Sequence, residues 1–122
     1  MAHPAQAEFI SKVREFHPQA FSGVRVLEVG SLDINGSVRE LFHNCDYTGA
    51  DLQLGPGVDL ACQGQLLELP SNSFDTAISA ECLEHNPYWR ETLGNMLRMT
   101  KPNGLVLITC ATVGRKEHGT TR

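Results

Sequence analysis

Val26-Leu27-Glu28-Val29-Gly30-Ser31-Leu32-Asp33-Ile34-Asn35-Gly36 is the stretch on which the reading of this chain turns. Val24–Val29 is rich in β-branched residues, which suits a strand, and Gly30 stops it. Glycine there lets the backbone turn sharply and lets another group approach it closely. Gly36 stands where the loop 31–36 enters a short predicted helix, Ser37–Phe42, with Val38, Leu41 and Phe42 turned inward. Free N–H groups at such a helix start can hold a carboxylate or a phosphate. Taken alone, the stretch reads equally as a plain strand-to-helix turn with two glycines.

Working outward, the same alternation continues. Upstream, residues 5–16 carry Phe9, Ile10, Val13 and Phe16 on one helical face, and Pro18 ends that helix. Downstream, Cys45–Ala50 is a second strand closing on Asp51, and Gly55-Pro56-Gly57 is a turn. Val58–Cys62 is a third strand, and a turn at Ser71-Asn72-Ser73 leads into a fourth, Phe74–Ala80. Pro87–Thr100 has helical spacing, Glu91, Thr92, Met96 and Arg98 alternating with Leu93, Leu97 and the apolar Met99, with proline in its first turn. Lys101-Pro102-Asn103-Gly104 is a turn, and Leu105–Ala111 is an apolar run of the kind found in strands buried on both faces. Strands alternating with helices predict a mostly parallel sheet with helices on both sides, a three-layer α/β sandwich. In such sheets ligands bind beyond the carboxyl ends of the strands.

The chain has 122 residues, the size of one domain. Leu, Ile, Val and Phe make up about a quarter of it, enough for a packed core. Its longest apolar run, 105–111, is far short of the roughly 20 residues that span a bilayer. The N-terminus lacks the pattern of a secretory signal, so a cytoplasmic location is expected. The net charge is −4 and the basic residues are scattered, which argues against a nucleic-acid partner. Cys45, Cys62, Cys82 and Cys110 are widely spaced, without a CxxC pair, and read as free thiols. His3, His17, His43 and His118 have no neighbours suggesting a metal site, and none is expected.

The residues that follow the strands carry the chemistry. Asp51 stands where an acid can take two ribose hydroxyls. His85, after the fourth strand in Glu81-Cys82-Leu83-Glu84-His85, is a candidate general base. Five pieces occur in order: Val26-Leu27-Glu28-Val29-Gly30, Tyr47-Thr48-Gly49-Ala50-Asp51, Leu69-Pro70-Ser71-Asn72-Ser73-Phe74-Asp75, Glu81-Cys82-Leu83-Glu84-His85 and Lys101-Pro102-Asn103-Gly104. Together, over roughly residues 22–112, they resemble a class I S-adenosylmethionine-dependent methyltransferase of the broad type 11 kind.

The resemblance implies a Rossmann-like sheet in the order 3-2-1-4-5 and S-adenosylmethionine as cofactor. Glu28 matches the acid that anchors the methionine end, and Gly30, Ser31 and Gly36 match the glycine loop around the methionyl and ribose parts. Asp51 matches the ribose-binding acid, Leu52 the apolar cover of the adenine, and Glu81 and Cys82 the border of the sulfonium. Gln63 stands where the family often has an acid that accepts from the adenine amino group. A glutamine carbonyl can accept the same bond. The loop from Gly30 to Gly36 is longer than usual. The family's sixth and seventh strands are lacking, so residues 1–122 read as one domain, incomplete at its C-terminus. The fifth strand then forms an open apolar edge, and homo-oligomerisation through it is expected.

The activity implied is methyl transfer to a small-molecule acceptor, with no membrane and no metal. Two other readings stand beside it: a cofactor-binding but inactive scaffold or partner domain, and a nicotinamide-dependent dehydrogenase. The absence of G-x-G-x-x-G after the first strand weighs against the latter. Tyr88 and Trp89 either form an aromatic wall of the acceptor pocket or pack on the sheet.

Overall fold

The computed structural model describes residues 4–32, 37–80 and 87–109. Five strands form one parallel sheet: β1 (Arg25–Val29), β2 (Asp46–Asp51), β3 (Leu60–Ala61), β4 (Phe74–Ser79) and β5 (Thr100–Ile108), in the order β3-β2-β1-β4-β5. This is the predicted order. Two helices, α1 (Pro4–Phe16) and α2 (Trp89–Met99), and three 3₁₀ turns, Pro18–Phe21, Arg39–Leu41 and Gly64–Leu66, complete the described elements. Among the described residues no helix is long and apolar enough to cross a membrane.

Alternation along the strands divides the core into two layers. On one face Val26, Ile78 and Leu107 pack with Ile10 of α1 and with Phe21, Val38 and Phe42. The rings of Phe21 and Phe42 stack there at 4.5 Å. On the other face Leu27, Val29 and Ala77 pack with Met96 and Met99 of α2. β5 serves both layers, sending Leu105 and Leu107 to the first and Val106 and Ile108 to the second.

The structure corrects several expectations. The predicted helix Ser37–Phe42 is one 3₁₀ turn, Arg39–Leu41, although Val38 and Phe42 are buried as expected. Phe9 and Phe16 of α1 are exposed, while Ile10, expected on the same face, is buried. Leu97 of α2 is exposed while Thr92, Met96 and Met99 face the sheet. β3 is two residues long, and bonds to β2 continue just past it at both ends: Asp59 N–H donates to the Gly49 carbonyl and Cys62 N–H to the Asp51 carbonyl. The predicted turn at Lys101–Gly104 lies within β5. Phe74 pairs with Thr100 and Thr76 with Leu105, so four residues of β5 bulge opposite Asp75 alone.

The end of α2 is tied to the start of β4. The carbonyls of Arg98 and Met99 accept from the N–H groups of Asn72 and Ser73 at 3.0 and 2.8 Å, which satisfies acceptors that a helix end leaves open. α2 therefore runs from the carboxyl end of the sheet back to its amino end, and its first residues stand beside the strand ends.

Candidate functional site

At the carboxyl end of β1, Glu28 is closed from solvent, 1% exposed. The Tyr47 hydroxyl of β2 donates to Glu28 Oε1 at 2.7 Å. Burial disfavours a charged carboxylate and raises the Glu28 pKa above its ordinary 4.5. The Tyr47 bond and Arg39 work against that rise, while Asp51 adds to it. Burial also pushes the Tyr47 phenol up, and the neighbouring Glu28 pushes it further. Arg39 covers the Tyr47 ring at 4.4 Å from its centroid and reaches Gly57 O and Asp59 Oδ2. A buried carboxyl, a phenol and a guanidinium thus form one line beneath the strand ends.

Gly30 follows directly, with φ of +82°, a conformation costly for any side chain. The turn it makes aims two successive amides at one acceptor: Gly30 N and Ser31 N both donate to Ala50 O, at 2.7 and 3.1 Å. Next, Leu32 N donates to Asp51 Oδ2 at 2.8 Å, and Leu52 N to Asp51 Oδ1 at 2.6 Å. One carboxylate therefore holds both the loop after β1 and the chain after β2. A carboxylate has about four lone-pair sites, so each oxygen keeps capacity for a further donor. Asp51 is half-buried, with a solvent side.

Gly49 makes this close approach feasible. A Cβ there would collide with the Gly57 carbonyl oxygen and the Ser31 side chain. Asp59 completes the frame by accepting from Gly49 N at 2.7 Å. Ser31 is buried against Gly49, yet its hydroxyl has no hydrogen-bond partner among the described residues.

Beyond Asp51 the chain presents apolar side chains to water. Leu52 is 72% exposed and Leu54 71%. Gln63 is exposed, and its Oε1 accepts from Gln65 Nε2 at 2.6 Å. Tyr88 and Trp89 are exposed too, with Arg90 over the indole, so Trp89 is not a core residue. Gly36, Glu81, Cys82 and His85 lie outside the described residues. Cys45 and Cys62 are free and half-buried. Among the described residues no group of three His, Cys, Asp or Glu side chains could hold a metal.

The structure thus brings Glu28, Gly30, Ser31, Asp51 and Leu52 to one end of the sheet. Tyr47, Arg39, Asp59 and Leu54 join them without having been singled out from the sequence. Tyr47 carried a signal: a strand acid enclosed on one face needs a donor, and Tyr47 is the side-chain donor that the adjoining strand offers diagonally to it. Using that signal requires the register, in which Glu28 pairs with Gly49.

The residues suit a sulfonium cofactor of the implied kind. Asp51 has acceptor capacity for a pair of hydroxyls, and the Ser31 hydroxyl has no partner among the described residues. Two neighbouring acids, Glu28 and Asp51, favour a cationic group between them.

A family model for a methyltransferase domain matches residues 1–119. Two solved structures share the fold. One is a Burkholderia thailandensis 1,6-didemethyltoxoflavin-N1-methyltransferase with bound 1,6-didemethyltoxoflavin and S-adenosylhomocysteine. It is 20% identical, with a TM-score of 0.65 over 84% of this chain and 51% of that one. The other is a putative type II methyltransferase from Anaeromyxobacter dehalogenans. It is 15% identical, with a TM-score of 0.53 over 89% of this chain and 55% of that one. The chain spans about half the length of both structures. No curated protein matches it.

Proposed function

The chain belongs to the methyltransferase domain family, and from that premise we propose that it binds S-adenosylmethionine beyond β1 and β2 and directs methyl transfer to a small-molecule acceptor. The observation that carries this reading is the Asp51 carboxylate, fixed by the amides of Leu32 and Leu52 and still able to accept from two ribose hydroxyls. When bound, S-adenosylmethionine supplies an electrophilic methyl group on a sulfonium.

The chain's own part is to hold and orient. Asp51 takes the ribose, Leu52 and Leu54 cover the adenine, and Gln63 accepts from its amino group after exchanging its bond with Gln65. Glu28, through its shielded carboxyl, favours the cationic methionine end, joined there by the turn at Gly30, Ser31 and Gly36. Glu81 and Cys82 border the sulfonium. Fixing acceptor and methyl in line is a proximity effect, worth several kcal/mol of a barrier. His85 serves as base where the acceptor carries a proton to be lost. A small-molecule acceptor is supported by the solved methyltransferase of this fold that holds one. The family match carries no support for a nicotinamide-dependent dehydrogenase.

Self-association through β5 belongs to the same proposal, because among the described residues β5 pairs on one side only. A clean monomer by size-exclusion chromatography at high concentration removes that part.

The deciding experiment is calorimetric titration with S-adenosylmethionine and S-adenosylhomocysteine, repeated with Asp51→Ala. Binding that the variant weakens tenfold or more is expected. A folded chain that binds neither compound overturns the reading. Binding with no methyl transfer to any acceptor leaves the scaffold alternative in possession.

A further inference from the structure

In the ladder between β1 and β2, Val26 pairs with Tyr47 and Glu28 with Gly49. Residues two apart share a face of a strand, so Tyr47 stands on the face that Glu28 uses, one step back along β2. Gly49, directly beside Glu28, carries no side chain. The Tyr47 phenol reaches the acid diagonally, its hydroxyl donating to Glu28 Oε1 at 2.7 Å.

The phenol is itself held from two sides. Arg39 lies over the ring at 4.4 Å from its centroid. Phe42 meets the ring edge-on at 5.3 Å and is stacked on Phe21 in the core. Arg39 is anchored in turn, donating to Gly57 O at 3.3 Å and to Asp59 Oδ2 at 3.5 Å. Asp59 Oδ2 also accepts from Gly49 N at 2.7 Å. The ring therefore sits in a frame built from β2, the 3₁₀ turn Arg39–Leu41 and the chain before β3, and its hydroxyl is aimed at Glu28.

This is more than the burial of residue 28 requires. An apolar side chain there would need no donor, and well-packed apolar groups commonly serve stability as well as buried charges do. The acid is kept, 1% exposed, with a neutral phenol on it. The guanidinium of Arg39 is spent on the ring, Gly57 and Asp59. Burial works against a charge on Glu28, while the phenol's bond and Arg39 work for it. The frame thus gives the carboxylate a fixed orientation and leaves its remaining acceptor sites to another donor.

We propose that Tyr47 is a positioning residue of the cofactor site: its hydroxyl, fixed by Arg39 and Phe42, holds the Glu28 carboxylate turned to the ammonium group of the cofactor's methionine end. This rests on the methyltransferase reading and adds the residue through which Glu28 is set. It also divides the work, with Asp51 serving the nucleoside and Tyr47 serving the amino-acid end alone.

The test uses the full chain and calorimetric titration with two probes. One is S-adenosylhomocysteine, the other its des-amino analogue, in which hydrogen replaces the ammonium group. The parent should prefer S-adenosylhomocysteine by about tenfold or more, the scale of a hydrogen bond to a charged group. Tyr47→Phe should cut that preference to about threefold or less, weakening S-adenosylhomocysteine and leaving the analogue within about twofold, because only the first carries the group that Glu28 meets. Glu28→Gln should abolish the preference. Adding Tyr47→Phe to Glu28→Gln should then change neither affinity by more than about twofold, since residues acting as one unit are not additive.

A merely structural role for Tyr47 would weaken both probes alike, and that result overturns the proposal. So does a preference kept in Tyr47→Phe, or losses that add in the double variant. Equal binding of the two probes by the parent means that no ammonium reaches the enclosed Glu28, and overturns it while leaving the cofactor reading standing. Should Tyr47→Phe fail to fold, Arg39→Met takes its place. It releases the ring and should lower the preference in the same sense, and an unchanged preference there overturns the proposal. Failure of the parent to bind S-adenosylhomocysteine overturns both readings.

Discussion

At the amino ends of β1 and β4 charges meet charges in water. Arg25 Nε lies 3.3 Å from Asp46, its backbone N–H donates to Asp75 at 3.0 Å, and Lys101 Nζ lies 3.1 Å from the same carboxylate. At the carboxyl end of β1 the acid Glu28 is enclosed, its described donor is one phenol, and buried hydroxyls nearby have no partner among the described residues. The first end is satisfied and replaceable. The second carries burial without full compensation, which a fold tolerates where binding supplies the missing partners. The contrast separates what holds this sheet together from what the sheet is for.

The sharpest way to break that contrast is at Gly49. Gly49→Ala drives a methyl into the Gly57 carbonyl and Ser31, and overpacking of this kind costs about 1–3 kcal/mol. Chemical denaturation should show a loss near the upper figure, together with weaker S-adenosylhomocysteine binding.

Next comes Tyr47→Phe, which strips Glu28 of its described donor. A hydrogen bond to a charged group contributes about 1.5–3 kcal/mol, so urea denaturation at pH 7 should show a loss of about 2 kcal/mol. A loss below about 0.5 kcal/mol would show that Glu28 is protonated at that pH and does not depend on the phenol.

Glu28 also sets a pH dependence. Its folded pKa lies above its ordinary value of 4.5, so the folded state holds the proton more tightly than the unfolded chain. Its contribution is most favourable below 4.5 and falls as pH rises from there towards the folded pKa. Glu28→Gln should flatten that part of the stability profile. An unchanged slope would mean the decline arises elsewhere.

The amino end should give the smallest effect. Lys101→Met breaks an exposed pair, and such pairs contribute about 0.2–1 kcal/mol. The loss should shrink further in 1 M salt, where screening is strong, whereas the Tyr47→Phe loss should persist. Asp75 behaves oppositely to Glu28. The Arg25 amide, and then Lys101, hold its pKa below the ordinary 3.8. Its stabilisation is present above 3.8 and is lost as pH falls through the folded pKa, and Asp75→Asn should remove that acid-side loss.

The sheet was legible because its signals are local. Val26, Leu27 and Val29 before Gly30, or Phe74–Ala80 after a turn at Asn72, need no partner to be recognised. Asn72 indeed adopts φ of +54°. Asp51 was legible for the same reason, being the acid that ends a strand. What escaped depends on distance across the fold. The exposure of Phe9 and Phe16 follows from which side of α1 meets the sheet, which helical spacing alone does not decide. Arg39 reaches Tyr47 and Asp59 through a 3₁₀ turn. The orphaned hydroxyls are visible only once neighbouring strands show what they fail to offer.

The bulge in β5 has a consequence for how this chain can vary. Regular strands can be realigned in steps, and a slip of one residue exchanges the faces of every side chain. Four residues opposite Asp75 remove that freedom, because the ladder between β4 and β5 closes in one phase only. Insertions and deletions in related chains should therefore be absorbed at Lys101–Gly104, where the extra length already stands outside the ladder. One residue gained between Leu105 and Ile108 would send Leu107 to the α2 layer and shift Thr109 away from Ser79. Alignments of such chains should place their gaps in the bulge and keep the count from Leu105 to Thr109 constant.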